Sequence, residues 1–308
     1  MTILLTFDIE DWFQVENLRL RYPPESWGSQ SWRVEASTRV VLDALDEAGG
    51  AQRTPVRATF FVLGSVAEKF PALVREIRDR GHEVASHGYW HRLCCQERPS
   101  ALRDDLLASK ALLEDILGSA VHGYRAPSFS ISDSVLHMIH EAGYEYDSSL
   151  NSFALNPRYG TVSFNGHRRG VAWEIFPGFY EIPVSNLRCF GQTLPWAGGG
   201  YFRLLPFSVF SLGVGKILHC DGAYVFYMHP WECDPDQPRV SGIGPMRRFR
   251  HYCNLSQTVG RLQRLIKTYG QCRFLSCSDY LAMSDHEIFK GLGQKKPEKA
   301  PCGLKTFG

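Results

Sequence analysis

Short apolar runs that stop at polar residues recur along this chain, and stretches with apolar positions at helical spacing separate them. Ile3–Phe7 is the first run, a buried strand ending in acidic residues, and Arg57–Leu63 is a second strand stopped by Gly64. Between them lies an aromatic insertion with Trp12, Phe13, Trp27 and Trp32, then a helix from about Ser37 to Ala48 ending at Gly49-Gly50. Val66–Arg80 places Val66, Phe70, Leu73, Val74 and Ile77 on one helical face, with Gly81 suited to the C-terminal cap. Glu83–Ser86 reads as a third strand delivering His87. A helix over Ala101–Leu117, a strand near Val121–Arg125, a helix over Asp133–Ala142 and a strand at Tyr144–Tyr146 continue the alternation.

Repeated strand–helix units predict an α/β fold with a largely parallel sheet, where chemistry gathers at the C-terminal ends of the strands. Asp8, His87 and Arg125 each stand at such an end. Further on, Glu181–Val184 reads as a strand. The glycine run Gly198-Gly199-Gly200 lacks the spacing of a phosphate or dinucleotide loop and reads as a turn before a helix. Ala223–Met228 is a strand ending at His229, Leu255–Tyr269 a basic amphipathic helix, and Arg273–Leu275 a last strand. Residues 1–285 are expected to form one domain. The remainder, 286–308, becomes rich in Lys, Pro and Gly from about Lys290 and reads as a loose tail.

Composition narrows the function classes. With 44% hydrophobic and 13% aromatic residues, 308 residues can bury a sizeable core. The net charge of +2 comes from scattered Lys and Arg rather than blocks, which argues against a nucleic-acid partner. No signal peptide precedes the acidic cluster at residue 8, and the longest apolar stretch, Ser208–Leu218, is too short to span a membrane. A cytoplasmic location, or one at the inner face of the membrane, is the expectation. Nine cysteines without a CxxC pair fit reduced, mostly buried thiols.

The candidate chemistry lies in four blocks: Asp8-Ile9-Glu10-Asp11, His87-Gly88-Tyr89-Trp90-His91, Arg125-Ala126-Pro127 and Met228-His229-Pro230-Trp231-Glu232. One carboxylate joined to two imidazoles is a typical oxygen–nitrogen donor set for a divalent ion, zinc first, with cobalt and manganese as alternatives. A second carboxylate beside that set can take a proton from water, so the blocks point to hydrolysis. Side chains alternate along a strand, which puts Glu10 on the Asp8 face and favours it over Asp11 as the acidic ligand. Asp11 would reach the ion only if the chain turned at Ile9.

In order and approximate spacing, these blocks resemble the NodB-homology polysaccharide deacetylases, the fourth carbohydrate esterase family, over residues 1–280. More narrowly, Asp-Ile-Glu-Asp-Trp-Phe, Gly-Gly-Gly-Tyr-Phe-Arg-Leu-Leu-Pro, His-Pro-Trp-Glu and Arg248-Phe249-Arg250-His251-Tyr252 resemble a subgroup of exosortase and exopolysaccharide loci with a C-terminal extension. The resemblance implies a distorted (β/α) barrel and metal-dependent N-deacetylation of an acetylated glycan or its lipid-linked precursor. It assigns the metal to Glu10, His87 and His91, the base to Asp8 and the general acid to His229. Arg125 would orient Asp8, and Asp147 would support the late histidine. Tyr89, Trp90 and Trp231 could stack on a sugar face. The chain departs from the family where many members carry two adjacent aspartates, since Ile9 cannot ligate; Asp8 and Glu10 match the Asp-x-Asp variant instead. The rival readings are a small cyclic-amide hydrolase on the same fold and an inactive saccharide-binding or assembly protein.

Overall fold

The computed structural model describes residues 1–52, 55–153, 159–163, 166–189 and 191–289. The first half alternates as β1 (Thr2–Ile9), α1 (Val34–Gln52), β2 (Ala58–Val62), α2 (Gly64–Lys69), α3 (Pro71–Asp79), β3 (Glu83–Ser86), α4 (Pro99–Leu117), β4 (Gly123–Tyr124), α5 (Asp133–Glu141) and β5 (Tyr146–Asp147). Then come β6 (His167–Arg169), β7 (Ala172–Phe176), β8 (Phe179–Glu181), β9 (Asn186–Cys189), β10 (Gln192–Pro195), α6 (Gly199–Leu204) and α7 (Phe207–Asp221). The chain ends with β11 (Ala223–Met228), α8 (Pro245–Tyr252), α9 (Thr258–Thr268), β12 (Arg273–Phe274), α10 (Cys277–Ala282) and α11 (Asp285–Phe289).

Seven parallel strands in the order β11-β1-β2-β3-β4-β5-β8 curve into a distorted barrel, with β7 and β6 added antiparallel at the β8 edge. The open seam is bridged where Ser185, just past β8, donates its N–H to Val225 O at 3.1 Å. Strand β1 shows how period two builds the layers. Ile3, Leu5 and Phe7 pack outward beneath the helices with Val41, Leu45 and Ile77, whereas Leu4 joins Phe61, Ala85, Tyr146, Ile182 and Val225 inside the barrel. Thr6 and Asp8 share Leu4's parity, so a polar pair caps an apolar barrel floor. Across the top, Trp12, Phe13, Val15, Leu18 and Trp27 of the aromatic insertion pack with Trp231 and Val240 as a separate cluster.

Several expectations change. The helix expected over Val66–Arg80 is two helices, because Pro71 drives Phe70 out of helical geometry (φ −128°, ψ 59°). The strand expected at Glu181–Val184 is displaced to Phe179–Glu181, since Pro183 has no N–H for a ladder. The glycine run is not only a turn: Gly199 and Gly200 open α6 itself. The helix expected from Leu255 begins with a 3₁₀ turn and becomes α-helical at Thr258. Of the eight described cysteines, all free, four are buried and Cys95 and Cys220 are exposed. Of the expected tail, residues 286–289 belong to the helix Asp285–Phe289, and 290–308 lie outside the described residues. Among the described residues no helix is long and apolar enough to cross a membrane.

Candidate active site

Asp8 is the penultimate residue of β1, His87 follows β3, Arg125 follows β4 and His229 follows β11, so the parallel strands bring all four to one rim. His91 reaches the same point through a tight loop. Gly88, at φ +73°, makes the turn, and a Cβ there would stand 2.9 Å from Asp105 Oδ1, which anchors the loop by accepting from Tyr89 N at 2.8 Å. His91 itself is held at φ +51°, a conformation unusual for histidine. Ser128 and Phe129, just past the Arg-Ala-Pro block, have φ of +54° and +59°. Backbone strain thus gathers around this rim.

Glu10, His87 and His91 are all buried, and each offers a ligand atom within 4.8 Å of the others. His87 Nδ1 contacts Arg125 O at 2.8 Å, which directs Nε2 toward the carboxylates and leaves it free to ligate. Burial pushes the His87 pKa down to about 4, so the ring is held in its neutral, ligating form. Glu10 Oε2 lies 2.7 Å from His91 Nε2 yet has no aligned hydrogen-bond donor. Burial would raise the pKa of Glu10, but His91, His229 and His87 outweigh it and hold the carboxyl at about 2. A buried, ionised oxygen without a donor, facing two imidazoles, fits a divalent cation by its donor chemistry.

Asp11, the competing acidic ligand, is committed elsewhere. Its carboxylate accepts from Trp12 N at 2.8 Å, Arg33 N at 2.6 Å and Val34 N at 2.8 Å, capping the start of α1. The chain does turn at Ile9, where Glu10 N bonds Asp8 O at 3.1 Å, and the turn sends Glu10 rather than Asp11 into the centre.

Asp8 is positioned by Arg125, whose Nη1 donates to Asp8 Oδ1 at 2.8 Å and to Thr6 Oγ1 at 2.7 Å. Nε and Nη2 of Arg125 bond Ser148 O and Oγ at 2.9 and 2.8 Å, and the guanidinium lies 4.1 Å over the Phe61 ring. Arg125 is fully buried, so most of its donors are satisfied by a preformed cradle. On the other side, His229 Nε2 stands 3.5 Å from Glu10 Oε1 and 3.9 Å from Asp8 Oδ2. Trp231 stacks on the His229 ring and donates Nε1–H to Glu10 Oε1 at 3.2 Å.

Asp147 does not support His229. It accepts from Ser149 Oγ and N at 2.7 and 3.0 Å and lies opposite Glu181 in the β5–β8 register, deep under Arg125. The carboxylate on His229 Nδ1 is instead Glu232 Oε1, at 2.9 Å, and Glu232 Oε2 accepts from Arg203 Nε at 2.7 Å. The sequence motifs contain both residues but assign neither a role: Glu232 stands three residues past His229, a spacing that signals the contact only once His229-Pro230 opens a helical turn. Of the aromatics, Trp90 is exposed beside the site, whereas Trp231 is buried wall between His229 and His251.

The sequence family described as polysaccharide deacetylase matches residues 2–146, and one described as a domain of unknown function (DUF3473) matches residues 148–282. A peptidoglycan deacetylase-like protein of Gibberella zeae is 34% identical over 111 residues, covering 36% of this chain and 32% of that one. A peptidoglycan deacetylase of Helicobacter pylori is 36% identical over 110 residues, covering 34% of this chain and 36% of that one. The match thus spans about a third of the length of each of these relatives. The crystal structure of a polysaccharide deacetylase candidate from Mycobacterium smegmatis superposes with a TM-score of 0.58 at 20% identity, covering 97% of this chain and 94% of that one, which establishes the shared fold.

Proposed function

Since this chain carries a NodB-homology polysaccharide deacetylase domain over residues 2–146, we propose that it is a divalent-metal-dependent hydrolase that removes N-acetyl groups from the amino sugars of a polysaccharide or its lipid-linked precursor, releasing acetate. Exopolysaccharide biosynthesis is the setting we favour. One observation carries the reading: the buried Glu10–His87–His91 donor set lies beside Asp8 and His229 at one strand-end rim.

An amide resists water because water is a weak nucleophile and an amine anion leaves poorly. A divalent ion held by Glu10, His87 and His91 would polarise the acetyl carbonyl and lower the pKa of water. The chain's own residues divide the proton work. Asp8, aimed by the Arg125 guanidinium at 2.8 Å, accepts a proton as water adds to the carbonyl carbon. His229 donates a proton to the amine nitrogen as the C–N bond breaks, and acetate and a free amino sugar leave. Each proton transfer of this kind contributes roughly 10²–10⁴-fold. Trp90 offers an exposed ring for a sugar face next to the reacting centre.

The test is acetate release from chitooligosaccharides and peptidoglycan fragments, with and without chelator, followed by readdition of zinc, cobalt or manganese. Release that stops with the chelator, returns with metal and is absent in His87→Ala supports the proposal. Full release by metal-free His87→Ala protein refutes it.

A further inference from the structure

The matched polysaccharide deacetylase region ends at residue 146, yet His229 and everything that touches its Nδ1 edge lie beyond it, in the region described only as a domain of unknown function. Glu232 Oε1 accepts from both His229 Nδ1 at 2.9 Å and His229 N at 3.1 Å. Its other oxygen accepts from Arg203 Nε, and both side chains are about 2% exposed. Arg203 is in turn fixed at its far end. Nη1 donates to His251 O at 3.2 Å and Cys253 O at 2.6 Å, and Nη2 donates to Arg250 O at 3.0 Å. Two of these carbonyls belong to the last turn of α8 and the third to the residue that follows it, where helical oxygens lack partners and a cation is favoured. Asn254, at φ +54°, closes the arrangement by donating Nδ2–H to Arg203 O at 2.8 Å. Gly199 completes the fit, because a Cβ there would lie 2.2 Å from Glu232 Oε1.

We propose that Glu232, held by Arg203 on the C-terminal end of α8, is the positioning residue of His229, and that residues 148–282 thereby complete the active centre rather than forming an accessory unit. The contact from Nδ1–H to Glu232 fixes one tautomer and one ring orientation, so Nε2 faces Asp8 and Glu10. Asp147, engaged with Ser149, takes no part. The conserved-shape variant Glu232→Gln disrupts this whichever way its amide turns. With the oxygen toward His229, the NH₂ meets the Arg203 Nε–H donor; with the oxygen toward Arg203, the NH₂ meets His229 N–H.

This inference rests on the proposed deacetylase reading for its kinetic arm only. In ¹⁵N-histidine-labelled protein, the Nδ1-bound proton of His229, identified by its absence in His229→Ala, is expected downfield in the parent protein. It should move upfield in both Glu232→Gln and Arg203→Met and stay in place in Asp147→Asn. In kinetics, kcat for an N-acetylated sugar should fall at least 10²-fold in Glu232→Gln with KM changed less than threefold, matching the loss of a proton donor (about 10²–10⁴-fold). Hydrolysis of an activated acetyl ester, whose leaving group needs no proton, should fall less than tenfold. Equal losses on amide and ester, or a resonance that follows Asp147→Asn instead, overturn the assignment. If no acetylated sugar is a substrate yet the resonance responds as stated, the deacetylase reading fails and the positioning role stands.

Discussion

Removing Asp11 should cost stability and spare the metal, the reverse of what removing Glu10 does. In Asp11→Ala three N–H groups lose their shared acceptor, and two of them, on Trp12 and the fully buried Val34, have no water to turn to. Each buried unsatisfied donor costs about 1–3 kcal/mol. The carboxylate's own burial, which pushes its pKa up to about 6, offsets part of that loss, leaving a destabilisation of about 3 kcal/mol. With an unfolding entropy of about 2.1 cal/mol/K per residue, a chain of this length loses about 5 °C in Tm. Asp11→Asn keeps one acceptor oxygen and should lose about half as much. Thermal unfolding of the metal-free protein by circular dichroism measures the first quantity, and competition with a chromophoric chelator for zinc measures the second. Zinc affinity should change less than about tenfold in either Asp11 variant. In Glu10→Gln it should fall by more than the roughly 10–100-fold that loss of an outer partner produces. An Asp11→Asn protein with unchanged Tm and zinc affinity reduced as far as in Glu10→Gln would refute the assignment.

Asp8→Asn should retain the metal and lose acetate release by at least about 10²-fold, because an amide cannot accept the water proton; metal analysis beside an acetate assay checks both, and retained turnover removes Asp8 as base. Arg125→Met leaves Asp8 a buried charge without its partner and should cost about 3–5 kcal/mol in a denaturant titration; a loss below about 1 kcal/mol, the range of a surface pair, would contradict the cradle described above. Asp147 and Glu181 give a pH prediction. Burial and then the facing Asp147 carboxylate hold the Glu181 pKa well above its ordinary value, against the attraction of Arg125. The folded chain therefore keeps a proton that the unfolded chain releases, so this contribution is complete below the unfolded pKa and is lost as pH rises through the folded one. Stability should fall by up to about 1.4 kcal/mol per pH unit across that window, and Glu181→Gln should flatten the profile; parallel profiles for the two proteins from pH 5 to 9 would count against a shared proton.

Most of the barrel was legible in the chain because its signals are local. A buried strand such as Ala223–Met228 shows as an apolar run whatever it pairs with, and a polar residue just past each run falls on the strand-end rim of any parallel sheet. Asp8, His87, Arg125 and His229 were found that way. The break at Phe70-Pro71 was equally local, written in the proline that the helical periodicity of Val66–Arg80 obscured. The partnerships of buried polar groups were not legible, because burial makes each one depend on whatever distant segment folds over it. Asp11 is a helix cap because the chain returns at Arg33 and Val34. His229 rests on Glu232 because Gly199 leaves room for that carboxylate, and Glu232 is held because Arg203 finds three carbonyls at the end of α8. A sequence states which groups must be satisfied when buried; only the packed chain decides by whom, since the penalty for an unmet donor is the same whichever segment supplies the acceptor.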